Sequence, residues 1–219
     1  VYNEGLLLDA VSQAIINRRL ESRARSGGSY LYAQVRQDDV SRSTDATFVS
    51  FAPLTGDWQT ALADVRGVIA DALATPPTQD EIDREVAQFE TAFVNRVEQR
   101  TVIAASEIAD TLVNAVDIRE TVASPETVLE VFQGMRARFT PDEVFTRTRK
   151  LFEGDVVRGV YVTPQIGEAD VQAFRLALSQ AAAVDTGARL AAQSISFDDL
   201  PSIGSPGEIV QQGPIGLFR

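Results

Sequence analysis

The side chains in this sequence that could perform chemistry are carboxylates, hydroxyls, arginines and a single lysine, because its 219 residues include no histidine and no cysteine. Without an imidazole there is no Ser-His-Asp or Cys-His pair and no ordinary proton shuttle near neutral pH. A tetrahedral zinc site also has no nitrogen or sulfur ligands to draw on. The options that remain are carboxylate chemistry, a lysine, serine or tyrosine nucleophile, a hard cation held by oxygen, or no catalysis.

Two aspartate pairs, Asp38-Asp39 and Asp198-Asp199, are the candidates for a hard-cation site. Calcium loops place their oxygen ligands at alternate residues with a glycine at the turn, and neither pair has this spacing. The acidic residues between positions 81 and 85 fall in the first turns of a predicted helix, where negative charge is favourable without any catalytic role. We therefore predict no metal ligand, no cofactor-binding residue and no catalytic residue in this chain.

The segment Gly27-Gly28-Ser29 could be taken for a phosphate-binding loop, but it follows a helix and precedes a strand, the reverse of the order that such a loop requires. We expect these glycines to end the helix. The arginines before them are expected to form salt bridges within this acidic chain rather than an anion site. Tyr30, Tyr32 and Trp58 are expected to pack in the core rather than line a pocket.

The composition is that of a globular protein, with 44% hydrophobic and 23% charged residues. A net charge of −11 disfavours nucleic acid or an anionic membrane as a partner. No apolar stretch approaches the ~18 residues of a membrane span. The sequence opens at Val1 and its one methionine is Met135, so we expect a mature fragment or an excised segment whose targeting peptide is not in view.

Strands are predicted at residues 30–36, 46–51 and 156–162, with a polar hairpin loop at residues 37–45. In the first strand, Leu31, Ala33 and Val35 fall on one face, and Tyr32 and its alternate neighbours fall on the other.

Helical spacing and cap residues predict that most of the rest of the chain is helical. Thr78 and Glu81 form a capping-box pattern, while Ser124-Pro125 and Thr140-Pro141 each place a cap residue before a proline. The predicted helices span residues 3–25, 58–73, 78–97, 103–116, 125–135, 141–152 and 168–182. Residues 103–116 either continue the preceding helix after a bend or form a neighbouring one.

The predicted fold class is α+β, with a few-stranded, mostly antiparallel sheet covered by several helices. Because there are few strands for so much helix, the sheet is expected to be incomplete, with its missing strands upstream of Val1. We expect residues 1–183 to form the α+β domain and residues 184–219 to form an inter-domain linker or tail, which packs loosely or adds an edge strand.

The order of elements and several short segments resemble the pitrilysin/insulinase zinc metallopeptidases. In that family a helix ending in Arg-Leu leads through a charged turn into a strand that crosses the domain, and a later helix starts at Thr-x-x-Glu-Leu. The segments that carry the resemblance are Ile15-Ile16-Asn17-Arg18-Arg19-Leu20-Glu21, Ala24-Arg25-Ser26, Ser29-Tyr30-Leu31-Tyr32-Ala33, Thr47-Phe48-Val49-Ser50-Phe51, Thr78-Gln79-Asp80-Glu81-Ile82, Phe139-Thr140-Pro141-Asp142-Glu143-Val144, Gly159-Val160-Tyr161-Val162-Thr163-Pro164 and Gly204-Ser205-Pro206-Gly207.

The resemblance implies that the parent protein is a zinc peptidase whose catalytic site lies outside these residues. The family binds zinc through His-x-x-Glu-His and a distal glutamate, and neither histidine has a counterpart here. The family also holds substrate with an arginine and a tyrosine, in the pattern Arg-Glu followed by Gly-Leu-x-Tyr. This chain has Arg25-Ser26 at the first position, and Tyr30 and Tyr32 straddle the second. Arg25, Tyr30 and Tyr32 are therefore the substrate-contact candidates, and the departure from the pattern indicates the second of four domains.

Three functional hypotheses follow. The first is a non-catalytic segment of a periplasmic, pitrilysin/insulinase-like zinc metalloendopeptidase, which forms part of the wall of the substrate chamber. Its partners would be the upstream zinc-binding domain, the downstream half of the same polypeptide and the parent's peptide substrate. The second is a stand-alone α+β interaction module without enzymatic activity. The third and weakest is a histidine-free hydrolase that uses a serine and Lys150, the only lysine in the chain.

Overall fold

Two antiparallel strands form an open sheet, and helices cover one side of it, which confirms the predicted α+β class. The computed structural model describes residues 2–40, 44–118, 122–154, 156–164 and 170–189. Its elements are α1 (Tyr2–Arg25), β1 (Tyr30–Val40), β2 (Thr44–Pro53), α2 (Trp58–Ala74), α3 (Gln79–Glu98), α4 (Ala105–Ile118), α5 (Pro125–Gly134), α6 (Pro141–Leu151) and α7 (Val171–Ser179), with short 3-10 turns at Arg136–Arg138 and Thr186–Ala188.

Helix α1 ends at Arg25, and the glycines that follow it stop the helix, as the sequence predicts. Gly27 has a φ of +92°, a conformation that L side chains rarely adopt. The backbone N–H of Gly28 then donates to the carbonyl of Arg23 at 2.9 Å, which is the 6→1 hydrogen bond of a Schellman motif. The turn places Tyr30 at the start of β1 directly after the helix.

The hairpin pairs β1 with β2 in a register that sets Ala33 opposite Phe51 and Val35 opposite Val49. These four side chains face the helices, and Val35 is fully buried. An irregularity in the register between Tyr30 and Tyr32 brings Tyr30 into the core, while Leu31 is exposed. The alternation in the sequence therefore predicts the faces correctly from residue 32 onward and wrongly for Leu31, because a bulge changes the alternation by one residue.

Both strands are longer than predicted, so the prediction of a loop over residues 37–45 is wrong at both of its ends. Gln37 pairs with Thr47, and Asp38 pairs with Ala46. At this end of the hairpin polar side chains remain solvated, and Arg36 binds Asp38 at 2.5 Å. The hydrogen bonds between the strands therefore continue into a polar region, where the sequence has no apolar alternation from which a strand could be predicted.

The helix starts that the sequence signals are confirmed. Thr78 and Glu81 form both bonds of the capping box, and Ser124 and Thr140 each accept a hydrogen bond from the third residue of their helix. Helix α4 is separate from α3, because the chain leaves α3 after Glu98 and turns before Ala105.

Two apolar clusters share α1 as their common wall. The first packs α1 against the hairpin and α2, and the second packs α1 against α3, α5 and α6. Their buried residues are Ile16, Leu20, Tyr30, Val35, Ala61, Val65, Val68 and Ala72 in the first, and Leu8, Val11, Ile15, Ile82, Phe132, Met135, Phe139 and Val144 in the second. Helix α1 is therefore the element on which the rest of the domain is assembled.

The predicted third strand is wrong: residues 156–163 form no strand, although they carry β-branched residues. A strand needs a partner for its backbone, and this segment instead lies against α2 and α7. Tyr161 contacts Trp58 with ring centroids 5.3 Å apart, and the ring of Phe174 lies against Gly159. The last predicted helix is also shorter than expected, since α7 begins at Val171, capped by Asp170. Asp198-Asp199 and the tail segment from residue 190 onward lie outside the described residues.

Candidate functional site

A shallow groove between α1 and the start of β1 contains two of the three substrate-contact candidates. Its volume is about 610 Å³. The residues that line it are Ala14, Asn17, Arg18, Glu21, Ala24, Arg25, Leu31, Tyr32, Ala33 and Gln34. The junction that carries the family resemblance thus forms the largest part of this surface.

Arg25 and Tyr32 are both accessible in this groove. Arg25 lies in the last turn of α1, where its side chain is 78% exposed and binds Glu21 at 2.5 Å. Tyr32 lies on the solvent face of β1 and is 54% exposed. Their guanidinium and hydroxyl groups can bind a carboxylate or a peptide carbonyl.

Tyr30 lies in the core rather than in the groove. Its hydroxyl donates to the carbonyl of Leu20 at 2.8 Å, which ties the start of β1 to the last turns of α1. Burial and the neighbouring Asp64 raise the pKa of Tyr30 to about 12. This residue holds the wall of the groove and is not positioned to contact a ligand in it.

Ser29 lies in the turn between α1 and β1 and binds a carboxylate, but its environment does not make it a nucleophile. Its Oγ donates to Asp64 at 2.6 Å, and its N–H donates to the same oxygen at 3.0 Å. Burial alone would raise the pKa of Asp64, but these bonds and the neighbouring Arg23 hold it below its ordinary value. A carboxylate stabilised in its charged form is a poor base, so this pair fixes the turn between α1 and β1.

A buried ion network lies behind the groove. The expectation that the arginines of α1 form salt bridges within the chain is confirmed for Arg19, but the burial of its salt bridges was not predicted. Arg19 is 2% exposed and binds Glu81 through two bonds, of 2.8 and 2.9 Å. Arg19 also binds Asp71 at 3.2 Å, and Asp71 receives two bonds from Arg189, of 2.8 and 2.9 Å. The signal in the sequence is that Arg19 follows Ile15 and Ile16 by four and three residues, which places a charge on the apolar stripe of α1.

The network holds its charges in place through its hydrogen bonds. Burial alone would raise the pKa of Glu81, but the bonds from Arg19 and Thr78 hold it below its ordinary value. The bonds to Asp71 raise the pKa of Arg189. Because every charge has an opposite partner, the network is a structural clamp between α1, α2 and α3 and not a site with a free acid or base.

Residues 183 to 189 are fastened along α1 and α2 by Arg189 of this network and by separate contacts of Asp185. The N–H of Asp185 donates to the carbonyl of Gly67 at 3.1 Å, and its carboxylate pairs with Arg23 at 3.2 Å. Ala183 and Asp185 pass so close to Gly67 that a Cβ there would lie 3.0 Å from the Ala183 carbonyl oxygen. The first residues of the predicted tail therefore pack on the domain.

Among the described residues, no group of three or more acidic side chains is placed to hold a metal ion. The single lysine, Lys150, is exposed in the last turn of α6. None of the described helices combines the length and the apolar character needed to cross a membrane.

No protein-family model and no curated protein sequence matches this chain. Two solved structures of one protein are similar to it over about two thirds of its length. The first half of the periplasmic protease PqqL from Escherichia coli matches with a TM-score of 0.62 and 15% identity, over 68% of this chain and 32% of that one. The structure of the PqqL protease matches with a TM-score of 0.61 and 16% identity, over 67% of this chain and 16% of that one.

This chain has the fold of a segment of that protease. The resemblance predicted from the α1–β1 junction is thereby confirmed at the level of the fold. The match covers well under two thirds of either PqqL chain, so what the whole protease does concerns more residues than are present here.

Proposed function

We propose that this chain is a non-catalytic structural segment of a larger insulinase/pitrilysin-like zinc metallopeptidase, in which it forms part of the wall of the substrate chamber. The observation that carries the proposal is its fold, which matches a minor part of a periplasmic protease while the sequence contains no histidine. Zinc would be bound by residues of the parent outside this chain, and the segment would correspond to the second of four domains. A periplasmic location is part of the same proposal.

The clamp around Arg19 supports a structural role. A wall segment must hold its shape while substrate is bound and released, and a buried, fully paired ion network fixes the relative positions of the three helices that carry it. The groove with Arg25 and Tyr32 is the surface on this segment that would contact peptide, through a guanidinium and a phenol rather than through a catalytic group.

The proposal is tested by assaying cleavage of an unfolded fluorogenic peptide by the 219-residue chain and by the polypeptide encoded by the complete reading frame. We expect zinc-dependent cleavage by the complete polypeptide and none by the chain alone. In the complete polypeptide, replacing Arg25 or Tyr32 by alanine should raise KM and leave kcat nearly unchanged, because these residues would contribute binding alone. An equal fall in kcat and in kcat/KM would contradict their assignment to the wall.

A stand-alone interaction module is the second candidate, and the exposed apolar face of α4 favours it. Ile108, Leu112 and Val116 recur at helical spacing and are all exposed. The reading frame distinguishes the two candidates: a frame that continues upstream through a His-x-x-Glu-His helix supports the peptidase, whereas one that begins within a few codons of Val1 supports the module.

A further inference from the structure

Residues 183–189, called the strap from here on, follow α7 and lie across α1 and α2. Ala183 and Val184, at the start of the strap, are exposed, and Asp185 caps the short 3-10 turn that follows them. The strap therefore buries little apolar surface, and the contacts that hold it on the helices are mainly polar.

A glycine in the middle of α2 marks the place where the strap crosses that helix. Gly67 is buried, and its carbonyl accepts the N–H of Asp185 at 3.1 Å. A Cβ on Gly67 would lie 3.0 Å from the carbonyl oxygen of Ala183 and 3.1 Å from the Cβ of Asp185. Glycine weakens a helix interior relative to alanine, so the helix itself gives no reason for this residue. The strap gives one, because its backbone occupies the space that a side chain would fill.

Two ion pairs hold the strap on the helices. Arg189 donates two bonds to the buried carboxylate of Asp71, of 2.8 and 2.9 Å, and its own side chain is partly exposed. The carboxylate of Asp185 lies 3.2 Å from the Nε of Arg23, and this partly exposed pair does not have the geometry of a hydrogen bond. Dissolved salt weakens ion pairs that water can reach, so the hold on the strap depends on ionic strength.

Helix α7, which precedes the strap, is held by different contacts. The ring of Phe174 lies against that of Trp58, with centroids 5.5 Å apart, and Arg66 donates to the carbonyls of Ala177 and Gln180 at 2.7 and 2.6 Å. All these contacts lie before the strap, so they can persist when the strap leaves the helices. A segment with few buried apolar contacts also opens at a lower free energy than a packed core.

We propose that the strap is a salt-sensitive conformational device, in which residues 183–189 open from α1 and α2 as a unit while the helices stay folded. Opening breaks the bond to Gly67 and admits water to Asp71, which keeps Arg19 as a partner. Closing holds the chain that follows the strap at the face of α1 and α2. This inference goes beyond the proposed function and does not depend on zinc or on cleavage.

Amide hydrogen exchange of the 219-residue chain at increasing NaCl concentration tests the device. The protection factor of the Asp185 amide should fall by about three- to tenfold between about 0.05 and about 0.5 M NaCl, because salt screens both ion pairs. The amides of Ile16 and Leu20, inside α1, should keep their protection factors. An equal effect of salt on all three amides, or no effect on that of Asp185, would overturn the proposal.

Low concentrations of urea distinguish a strap that opens by itself from one that opens only when the domain unfolds. The protection factor of Asp185 should be lower than that of Leu20 by about 100-fold or more, and it should depend less on urea, because local opening exposes little surface. The same protection factor and the same urea dependence for both amides would mean that the strap opens only with the whole domain. That result would overturn the proposal.

Gly67→Ala should displace the strap without weakening α2, because alanine is the better helix former. We expect G67A to lower the protection factor of Asp185 by about tenfold or more and to leave that of Leu20 unchanged. Gly134→Ala is the matched control, since a Cβ there meets nothing within 4 Å, and it should leave both amides unchanged. Full protection of Asp185 in G67A would overturn the proposal.

A second pair of variants tests the charge of the strap without adding a side chain to α2. Arg189→Gln removes one of the two ion pairs, and Arg175→Gln removes the same charge from an exposed arginine of α7. We expect R189Q to lower the protection factor of Asp185 by about three- to tenfold and to reduce its dependence on NaCl, whereas R175Q does neither. Protection and salt dependence that stay the same in R189Q would contradict the device.

Discussion

At the scale of single residues, the charge of Arg19 is held where water cannot reach it. The side chain is buried between α1, α2 and α3, and its two partners, Glu81 and Asp71, are buried with it. Such a network contributes little net stability when complete, because desolvation offsets the attraction between the charges. Removing one member is costly, because the remaining charges stay buried without compensation.

We therefore expect Arg19→Ala to lower the free energy of unfolding by about 3–5 kcal/mol. Arg25→Ala is the matched control, since it removes an arginine from the same helix with the same change in helix propensity but from an exposed pair. Its effect should be within about 0.5 kcal/mol. Urea unfolding followed by circular dichroism measures both, and a similar cost for the two variants would show that the network is not a clamp.

The fall in the free energy of unfolding at acid pH should depend on the protonation of Glu81. Its pKa is lower in the folded protein than its ordinary value of about 4.3, so its contribution is fully present above that value. As the pH falls through the lowered pKa, the folded state must take up the proton and the contribution is lost. The difference in free energy of unfolding between wild type and Glu81→Gln should be constant from about pH 6 to pH 8 and should shrink below about pH 4.3. A difference that grew towards acid pH would have the wrong sign.

At the scale of the elements, local signals in the sequence located the helices, and non-local pairing decided the strands. The starts of α3, α5 and α6 were predictable because a cap residue and a proline or a glutamate act within one turn. The segment at residues 156–162 has the composition of a strand but no partner in the described structure, and composition alone does not supply a partner.

In the candidate site, too, local features follow from the sequence and non-local contacts do not. The positions of Arg25 and Tyr32 beside one groove follow from a helix that turns directly into a strand, which the sequence indicates. The burial of Tyr30 depends on a bulge, and the clamp depends on Asp71 and Arg189, which are remote from Arg19 along the chain. Neither feature leaves a pattern within one element, apart from the position of Arg19 on an apolar stripe.

The turn that joins α1 to β1 should depend on Gly27. A side chain at this position would meet no neighbour, so the cost of Gly27→Ala is that of a positive φ alone, about 1–2 kcal/mol. Gly134 at the end of α5 has equally open surroundings and no positive φ, so Gly134→Ala should be neutral or slightly stabilising. Thermal unfolding of the two variants compares them, and an unchanged Tm for G27A would contradict the role given to this turn.

At the scale of the whole molecule, the described residues form a helical layer on an open two-stranded sheet, with a buried ion network between the helices and a shallow groove beside β1. The absence of histidine from the sequence first excludes the commonest catalytic devices. Together with the fold of part of a periplasmic protease, it assigns this chain, in the proposal made above, to the supporting part of an enzyme whose zinc is bound elsewhere. In this proposal, residues outside this chain bind zinc and cleave the peptide, and this chain supports them within the same polypeptide.

Zinc content, measured by mass spectrometry on the purified proteins alongside peptide cleavage, tests that claim most directly. We predict bound zinc and zinc-dependent cleavage in the complete polypeptide, and neither in the 219-residue chain at the same concentration. Bound zinc with peptide cleavage by the 219-residue chain would contradict the proposed function, because the catalytic site would then lie within these residues.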